Sequence, residues 1–95
     1  MRSVKQSRQV LVEDFNGKKV ILNLGTYMPY ILNYTASEVW DFCRRPRNTK
    51  GIAAFLSKRY NVSMPVLKKD VRILIKDLKA GGLIEEADVC PSRAK

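Results

Sequence analysis

Histidine is missing from this sequence of 95 residues, and cysteine occurs only twice, as Cys43 and Cys90. Without histidine, a zinc site and histidine-dependent acid–base catalysis near neutral pH are largely excluded. The two cysteines lack the CxxC spacing of a metal site and are too few for a disulfide framework, so both thiols are predicted to be free. We therefore predict no metal and no cofactor.

Motifs of enzymatic chemistry are missing as well. The sequence has no glycine-rich phosphate loop, no nucleophile beside a base, and no pair of carboxylates in an apolar setting. Asp70 and Asp77 stand among lysines and arginines, where ion pairs such as Asp77 with Arg72 or Lys76 are expected rather than acid–base chemistry. These absences predict a binding protein without catalytic residues.

Long apolar runs are also absent. No stretch approaches the ~20 apolar residues that cross a bilayer, and the charged N-terminus is not followed by the apolar segment of a signal peptide. A chain of this length forms one domain with one modest core. We expect a single-domain cytoplasmic protein that makes no contact with a membrane.

Negative charge is scarce. Nine Asp and Glu residues face eighteen Lys and Arg residues, which gives a net charge of +9. The segment from Arg44 to Arg59 contains six basic residues and no acidic residue. Such an excess is typical of proteins that bind an anionic partner, either nucleic acid or an acidic peptide or protein, and it also suits a solvated surface.

The N-terminal half is rich in residues that favour β-structure. Gln9–Phe15 and Lys18–Leu24 flank Asn16-Gly17, a pair that suits a two-residue type I′ turn because both central residues need positive φ. A β-hairpin is therefore predicted. The apolar segment Met28–Leu32 contains Pro29, which is confined to a strand start or a sheet edge, so we predict a short third strand at the edge of the sheet.

Three helices are predicted after the strands. Their expected bounds are residues 36–44, 50–60 and 65–80. Thr35 and Glu38 have the spacing of a capping box for the first helix. Thr49 can cap the second helix, and Gly81-Gly82 supplies a stop for the third.

These elements predict an α+β fold, a winged-helix-like domain in which an N-terminal β-hairpin and a short third strand are followed by three helices. We predict a flexible N-terminus over residues 1–8, the folded domain over residues 9–86, and a disordered basic tail over residues 87–95.

The predicted third helix has an apolar core side, a basic side and a further apolar side. The basic side comprises Lys68, Arg72, Lys76 and Lys79, and the further apolar side comprises Val66, Ile73 and Ala80. The basic side is compatible with a winged-helix DNA-binding protein, but the helix body offers no Asn or Gln to read adenine. Alternatively, the edge strand accepts an extended peptide by strand addition, and a groove beside the helix receives the peptide's side chains.

The segment Tyr30–Trp40, which reads YILNYTASEVW, resembles the LN-x-TA…W segment of PqqD-like proteins. The resemblance continues in order and spacing over roughly residues 10–86. Its further matches are Thr49, Ile52-Ala53, Leu56, Tyr60-Asn61-Val62, Asp70-Val71, Leu74-Ile75, Leu78 and Gly82-Leu83-Ile84.

This resemblance implies a recognition element for ribosomally synthesised, modified peptides. Such a protein is a non-catalytic peptide chaperone that binds the leader segment of a precursor peptide and presents it to a modifying enzyme, often a radical S-adenosylmethionine enzyme. The resemblance implies that the leader adds to the third strand and packs against the third helix. The peptide-binding residues predicted on this basis are Met28, Tyr30, Ile31, Leu32, Val66, Arg72, Ile73 and Lys76.

Residues 44–48 depart from the PqqD-like pattern. PqqD-like proteins usually place an acidic-Gly pair before the second helix, whereas this chain has Arg44-Arg45-Pro46-Arg47-Asn48. This difference and the strong basic charge leave open whether the pathway makes pyrroloquinoline quinone or another product, from a precursor that could be acidic. The resemblance argues against nucleic acid as the ligand, which the charge alone does not exclude.

Overall fold

Strands and helices follow one another along residues 3–87, the part of the chain that the computed structural model describes. In chain order they are β1 (Ser3–Gln6), β2 (Val10–Phe15), β3 (Lys18–Asn23), β4 (Pro29–Leu32), α1 (Tyr34–Phe42), α2 (Thr49–Arg59), α3 (Met64–Ala80) and β5 (Ile84–Ala87). The predicted α+β class is confirmed, and the predicted hairpin, third strand and three helices correspond to β2–β3, β4 and α1–α3.

The two ends of the described chain form a small sheet. Strand β1 pairs antiparallel with β5, from Ser3 opposite Ala87 to Gln6 opposite Ile84. The predicted flexible N-terminus is therefore wrong for residues 3–6, since their backbone groups are paired within this sheet. The predicted tail lies outside the described residues from residue 88 onward.

Strands β2, β3 and β4 form a second, antiparallel sheet in that order. At the turn between β2 and β3, Asn16 and Gly17 have φ values of 55° and 87°, as a type I′ turn requires. Because β3 lies in the middle, β4 has a paired neighbour on one side only. The prediction that the third strand lies at the edge of the sheet is confirmed.

The caps of the first two helices differ from those predicted. The Asn33 side chain caps α1 and accepts a hydrogen bond from the Ala36 amide at 2.8 Å, so Thr35 lies inside the first turn and the predicted capping box is not formed. Asn48 rather than Thr49 caps α2, accepting from Gly51 at 2.7 Å. In both cases an asparagine, one of the strongest N-cap residues, takes the cap one or two residues before the predicted position.

The core lies where β3, β5 and the three helices meet. Its most buried side chains include Ile21, Val39, Ile52, Val71 and Leu83. Trp40 of α1 is also buried, and its indole N–H donates a hydrogen bond of 3.0 Å to the Leu83 carbonyl just before β5. The small sheet of chain ends is thereby attached to the helical part of the domain.

Cys43 caps the end of α1 and is fully buried, with a free thiol; Cys90 lies outside the described residues. Burial raises the pKa of the Cys43 thiol from its ordinary value of 9.0 to about 11, against a smaller opposing effect of the Arg47 charge. The raised pKa and the burial together keep Cys43 protonated and unreactive near neutral pH.

We therefore expect Cys43 to resist alkylation by iodoacetamide in the folded protein and to react readily in urea, as measured by mass spectrometry of its tryptic peptide. Because the folded protein holds the thiol proton more tightly than the unfolded chain, this thiol should cost stability as the pH rises from about 9 to about 11. In urea titrations over that range, the wild type should lose stability relative to Cys43→Ala. Parallel pH profiles would contradict the assignment.

Candidate functional site

The outer edge of β4 offers backbone hydrogen-bonding groups to a further strand. In an antiparallel pair, residues alternate between those that bond to the neighbouring strand and those that point away from it. Asn23 donates to the Met28 carbonyl at 3.0 Å, and the register places Ile21 opposite Tyr30 and Val20 opposite Ile31. Tyr30 therefore bonds towards β3, whereas the N–H and C=O of Ile31 point to the open edge.

Helix α3 runs beside this open edge. At the C-terminal end of the helix, a side-chain carbon added to Gly81 would lie 3.0 Å from the Tyr30 ring, so the helix end and β4 are in close contact there. Towards the other end, Thr35 just after β4 lines a cavity together with Leu67, Asp70 and Leu74 of α3. We call the groove the space between the open edge of β4 and the side of α3 that carries Gly81, Asp77 and Asp70; at its Asp70 end it leads to the cavity, which is lined by residues of the three helices.

The cavity at the Asp70 end of the groove has a volume of about 210 Å³. Its lining residues are Thr35, Leu56, Tyr60, Val62, Leu67, Asp70, Val71 and Leu74. Most of this lining is apolar, and the Tyr60 hydroxyl is already used as a donor to Glu38 at 2.6 Å. The cavity is therefore suited to an apolar side chain, with the Asp70 carboxylate as an acceptor at its wall.

Asn23 holds the turn before β4 against the end of α3. Its side-chain amide donates to the Gly81 carbonyl at 2.8 Å, and its side-chain oxygen accepts from the amides of Gly25 and Thr26 at 2.8 and 3.3 Å. Gly82 has a φ of +71° and leaves no room for a side-chain carbon beside the Asn23 amide. The Gly-Gly pair thus ends the helix and also lets β4 approach it.

The predicted strand residues lie at this edge, with different exposures. The Tyr30 side chain is half-buried and that of Leu32 is buried, so both pack towards the core. Met28 and Ile31 are exposed, Ile31 with 76% of its surface accessible. The predicted role in peptide binding therefore rests on the backbone of β4 and on the side chains of Met28 and Ile31.

The predicted helix residues divide between two sides of α3. At 100° per residue, Val66 and Ile73 lie about 60° and 80° around the helix from Gly81, the position that meets β4. Both are about half exposed and flank the groove. Arg72 and Lys76 lie about 180° and 140° from Gly81, so the structure does not bring them together with β4.

The residues that face the groove most directly were not among the predicted binding residues. They are Asp70, Leu74 and Asp77, which lie within about 40° of Gly81 around the helix. The predicted ion pair of Asp77 with Arg72 or Lys76 is not formed, and neither Asp70 nor Asp77 makes an ion pair among residues 3–87. One signal was available in the sequence: neither carboxylate has a basic residue three or four positions away, where helical ion pairs form.

None of the helices within residues 3–87 is long and apolar enough to cross a bilayer.

Two solved structures share this fold. TbiB1 in complex with the TbiA(beta) leader peptide has a TM-score of 0.79 and 25% sequence identity, and the alignment covers 88% of this chain and 99% of that one. Lasso peptide synthetase B1 complexed with the leader peptide has a TM-score of 0.75 and 21% identity, over 86% of this chain and 96% of that one. At this lower identity, the second likeness shows the fold alone.

Comparison by sequence identifies the family. No curated protein matches the chain. The family model described as coenzyme PQQ synthesis protein D (PqqD) matches residues 18–84, which include β3, β4 and all three helices. Since this segment is well over half of the sequence, the chain belongs to the PqqD family.

Proposed function

We propose that this protein is a peptide-recognition protein that binds the leader segment of a ribosomally synthesised precursor peptide. The leader adds as a strand to the open edge of β4, and its side chains enter the groove between β4 and α3. The protein acts without catalysis of its own and presents the bound precursor to a modifying enzyme, for which a radical S-adenosylmethionine enzyme remains our prediction.

The observation that carries this proposal is the unpaired edge at Ile31 beside α3, in a chain of the PqqD family. An exposed strand edge pairs readily with an extended segment, and a largely apolar cavity lies on the Asp70 side of α3, lined by residues of the three helices. Two proteins of this fold were solved with leader peptides, which supports a leader peptide as the ligand. The family description supports pyrroloquinoline quinone synthesis as one candidate pathway.

The free energies of the expected contacts agree with reversible binding of the peptide. Each backbone hydrogen bond contributes about 0.5–1.5 kcal/mol net, and burying one apolar leader side chain contributes roughly 1.5–3 kcal/mol. Association and the ordering of the peptide cost part of this gain. A few strand hydrogen bonds and one or two buried apolar side chains are therefore needed together. The open edge of β4 offers the hydrogen bonds, and the cavity offers a place for an apolar side chain.

The comparisons give no support to the DNA-binding alternative. The basic side of α3, which carries Lys68, Arg72 and Lys76, faces away from the groove. In the proposed function this side is available to an acidic surface of the modifying enzyme, where it would speed encounter more than it would add affinity.

Replacing Ile73 with aspartate should weaken peptide binding about tenfold or more, because the substitution puts a charge on the apolar flank of the groove. The probe is a peptide selected on the wild-type protein from a displayed library of randomised sequences, and affinity is measured by calorimetry. Leu11→Asp is the matched control, because Leu11 is 58% exposed and Ile73 is 53% exposed, but Leu11 lies on β2 away from the groove. Equal losses in the two variants would contradict the proposed site.

An NMR titration with the same peptide locates the binding surface. We expect amide shifts to concentrate in residues 27–34 and 66–80, the two sides of the groove. Removal of the Lys18 side chain, on the hairpin, should leave the affinity nearly unchanged. If the shifts cluster in residues 44–50 while β4 is silent, strand addition is the wrong mode of binding even for a member of this family.

A further inference from the structure

We propose that Asp70 and Asp77 on α3 make the groove select leader segments that carry a lysine or an arginine on the side facing α3. This inference rests on the proposed function and adds to it a chemical class of ligand. It differs from the expectation of an acidic precursor, which followed from the overall basic charge of the chain.

The first observation is the separation of charge around α3. Asp70 and Asp77 lie about 20° and 40° around the helix from Gly81, whereas Arg72 lies about 180° away. The helix therefore presents its acidic residues to the groove and its basic side to the opposite direction. A ligand in the groove meets negative charge even though the protein as a whole has a net charge of +9.

The second observation is that these two carboxylates make no ion pair within residues 3–87, unlike Asp14, Glu38 and Asp41. Asp14 and Asp41 both lie 3.3 Å from the Lys19 ammonium, and Glu38 pairs with Arg59. Asp70 and Asp77 make no such contact among the described residues. The positions one turn away are apolar: Val66, Leu67, Ile73 and Leu74 for Asp70, and Ile73, Leu74, Ala80 and Gly81 for Asp77.

The apolar surroundings strengthen a charge pair formed in the groove. The wall next to Asp70 is made of Leu67, Val71 and Leu74, and a peptide laid over it would exclude water from the carboxylate. A carboxylate covered by a ligand without a cationic partner loses hydration, which costs free energy. The groove therefore favours a leader with a cation beside the carboxylate and disfavours one with an acidic residue there.

The spacing fits an extended ligand. Seven residues of helix separate the two carboxylates by about 10.5 Å along the axis. Side chains on one face of a strand recur about every 6.8 Å, so a strand along the groove passes both carboxylates within two or three same-face positions. The side chains of lysine and arginine are long enough to bridge the difference in spacing. The preferred segment combines apolar and basic residues on its α3 side.

Selection from random peptides tests this inference, because it requires no precursor sequence. A displayed library of fully randomised peptides is selected in parallel on the wild type, on Asp70→Lys and Asp77→Lys, and on Glu13→Lys. The last variant changes the net charge by the same amount at an exposed hairpin position outside the groove. Circular dichroism establishes that each variant is folded before selection.

We expect Lys and Arg to be enriched among peptides selected by the wild type and by Glu13→Lys, and this enrichment to be lost on Asp70→Lys and Asp77→Lys. A peptide selected on the wild type should bind Asp70→Lys at least about tenfold more weakly. General attraction to a protein of charge +9 predicts the opposite bias, towards acidic peptides.

The failures of the two proposals are distinguishable. Peptides that depend on the edge of β4 but show no basic excess, or that keep this excess on both groove variants, would overturn the charge preference and leave strand addition intact. Peptides whose amide shifts avoid β4 altogether would overturn the proposed function itself.

Discussion

Truncating Trp40 to alanine is expected to lower the free energy of unfolding by about 3–5 kcal/mol, a large part of the ~5–15 kcal/mol that stabilises a domain of this kind. Trp40 is 5% exposed, and its ring fills the space between α1 and the chain segment that enters β5. The substitution also removes the indole donor to the Leu83 carbonyl. Cavity formation and the lost hydrogen bond act together.

Urea titration followed by far-ultraviolet circular dichroism measures this loss, since the only tryptophan is removed. Trp40→Phe keeps most of the ring volume and isolates the hydrogen bond, so it should cost about 1–2 kcal/mol. Tyr34→Ala is the surface control in the same helix, because Tyr34 is exposed; it should change stability by well under 1 kcal/mol. A loss below about 1 kcal/mol for Trp40→Ala would mean that β5 does not depend on this contact.

Local chemistry made much of the fold predictable. The Asn16-Gly17 turn, the position of Pro29 and the Gly81-Gly82 stop each depend on the conformations open to one or two residues, which are visible in the sequence. Trp40 and its neighbours have helical spacing, so the core side of α1 could also be inferred. These elements were found within about two residues of their observed bounds.

Elements that depend on distant partners could not be predicted in this way. Strand β1 has a short, mixed sequence and forms because β5, from the far end of the described chain, pairs with it. Glu38 was predicted to cap α1, but it binds Arg59 and the Tyr60 hydroxyl from the end of α2. In both cases a tertiary contact that the local sequence does not show decided the outcome.

The candidate site, too, could be predicted only in part from the sequence. The sequence placed an edge strand at Met28–Leu32 and separated the sides of α3 correctly, but it could not say which side faces the strand. The close approach of Gly81 to Tyr30 fixes that orientation. With this orientation, Ile73 lies beside the groove and Arg72 lies on the opposite side. Asp70, which was expected to form an ion pair, lies at the wall of the cavity.

Replacing Ile31 with proline is expected to reduce peptide binding at least about tenfold while leaving the domain folded. The Ile31 amide points to the open edge, because Val20 and Ile31 are a pair that does not exchange hydrogen bonds. Proline removes that donor, and its ring occupies the space that an added strand needs. Pairing with β3 stays intact, since proline is tolerated on edge strands.

The other edge of the same sheet supplies the matched control. Leu24 donates to the Gln9 carbonyl, so the alternation along β2 makes Val12, opposite Ile21, a residue whose amide also points outward. Val12→Pro removes the same kind of donor from the opposite edge of the sheet, away from β4, and should leave peptide affinity within about twofold of the wild type.

Ile31→Thr keeps the amide and the β-branched shape, so it separates the backbone contribution from that of the side chain. Strand addition at β4 requires Ile31→Pro to be the weakest binder of the three. Equal losses for Ile31→Pro and Ile31→Thr would assign the contact to the side chain, and a loss for Val12→Pro alone would move the ligand to β2.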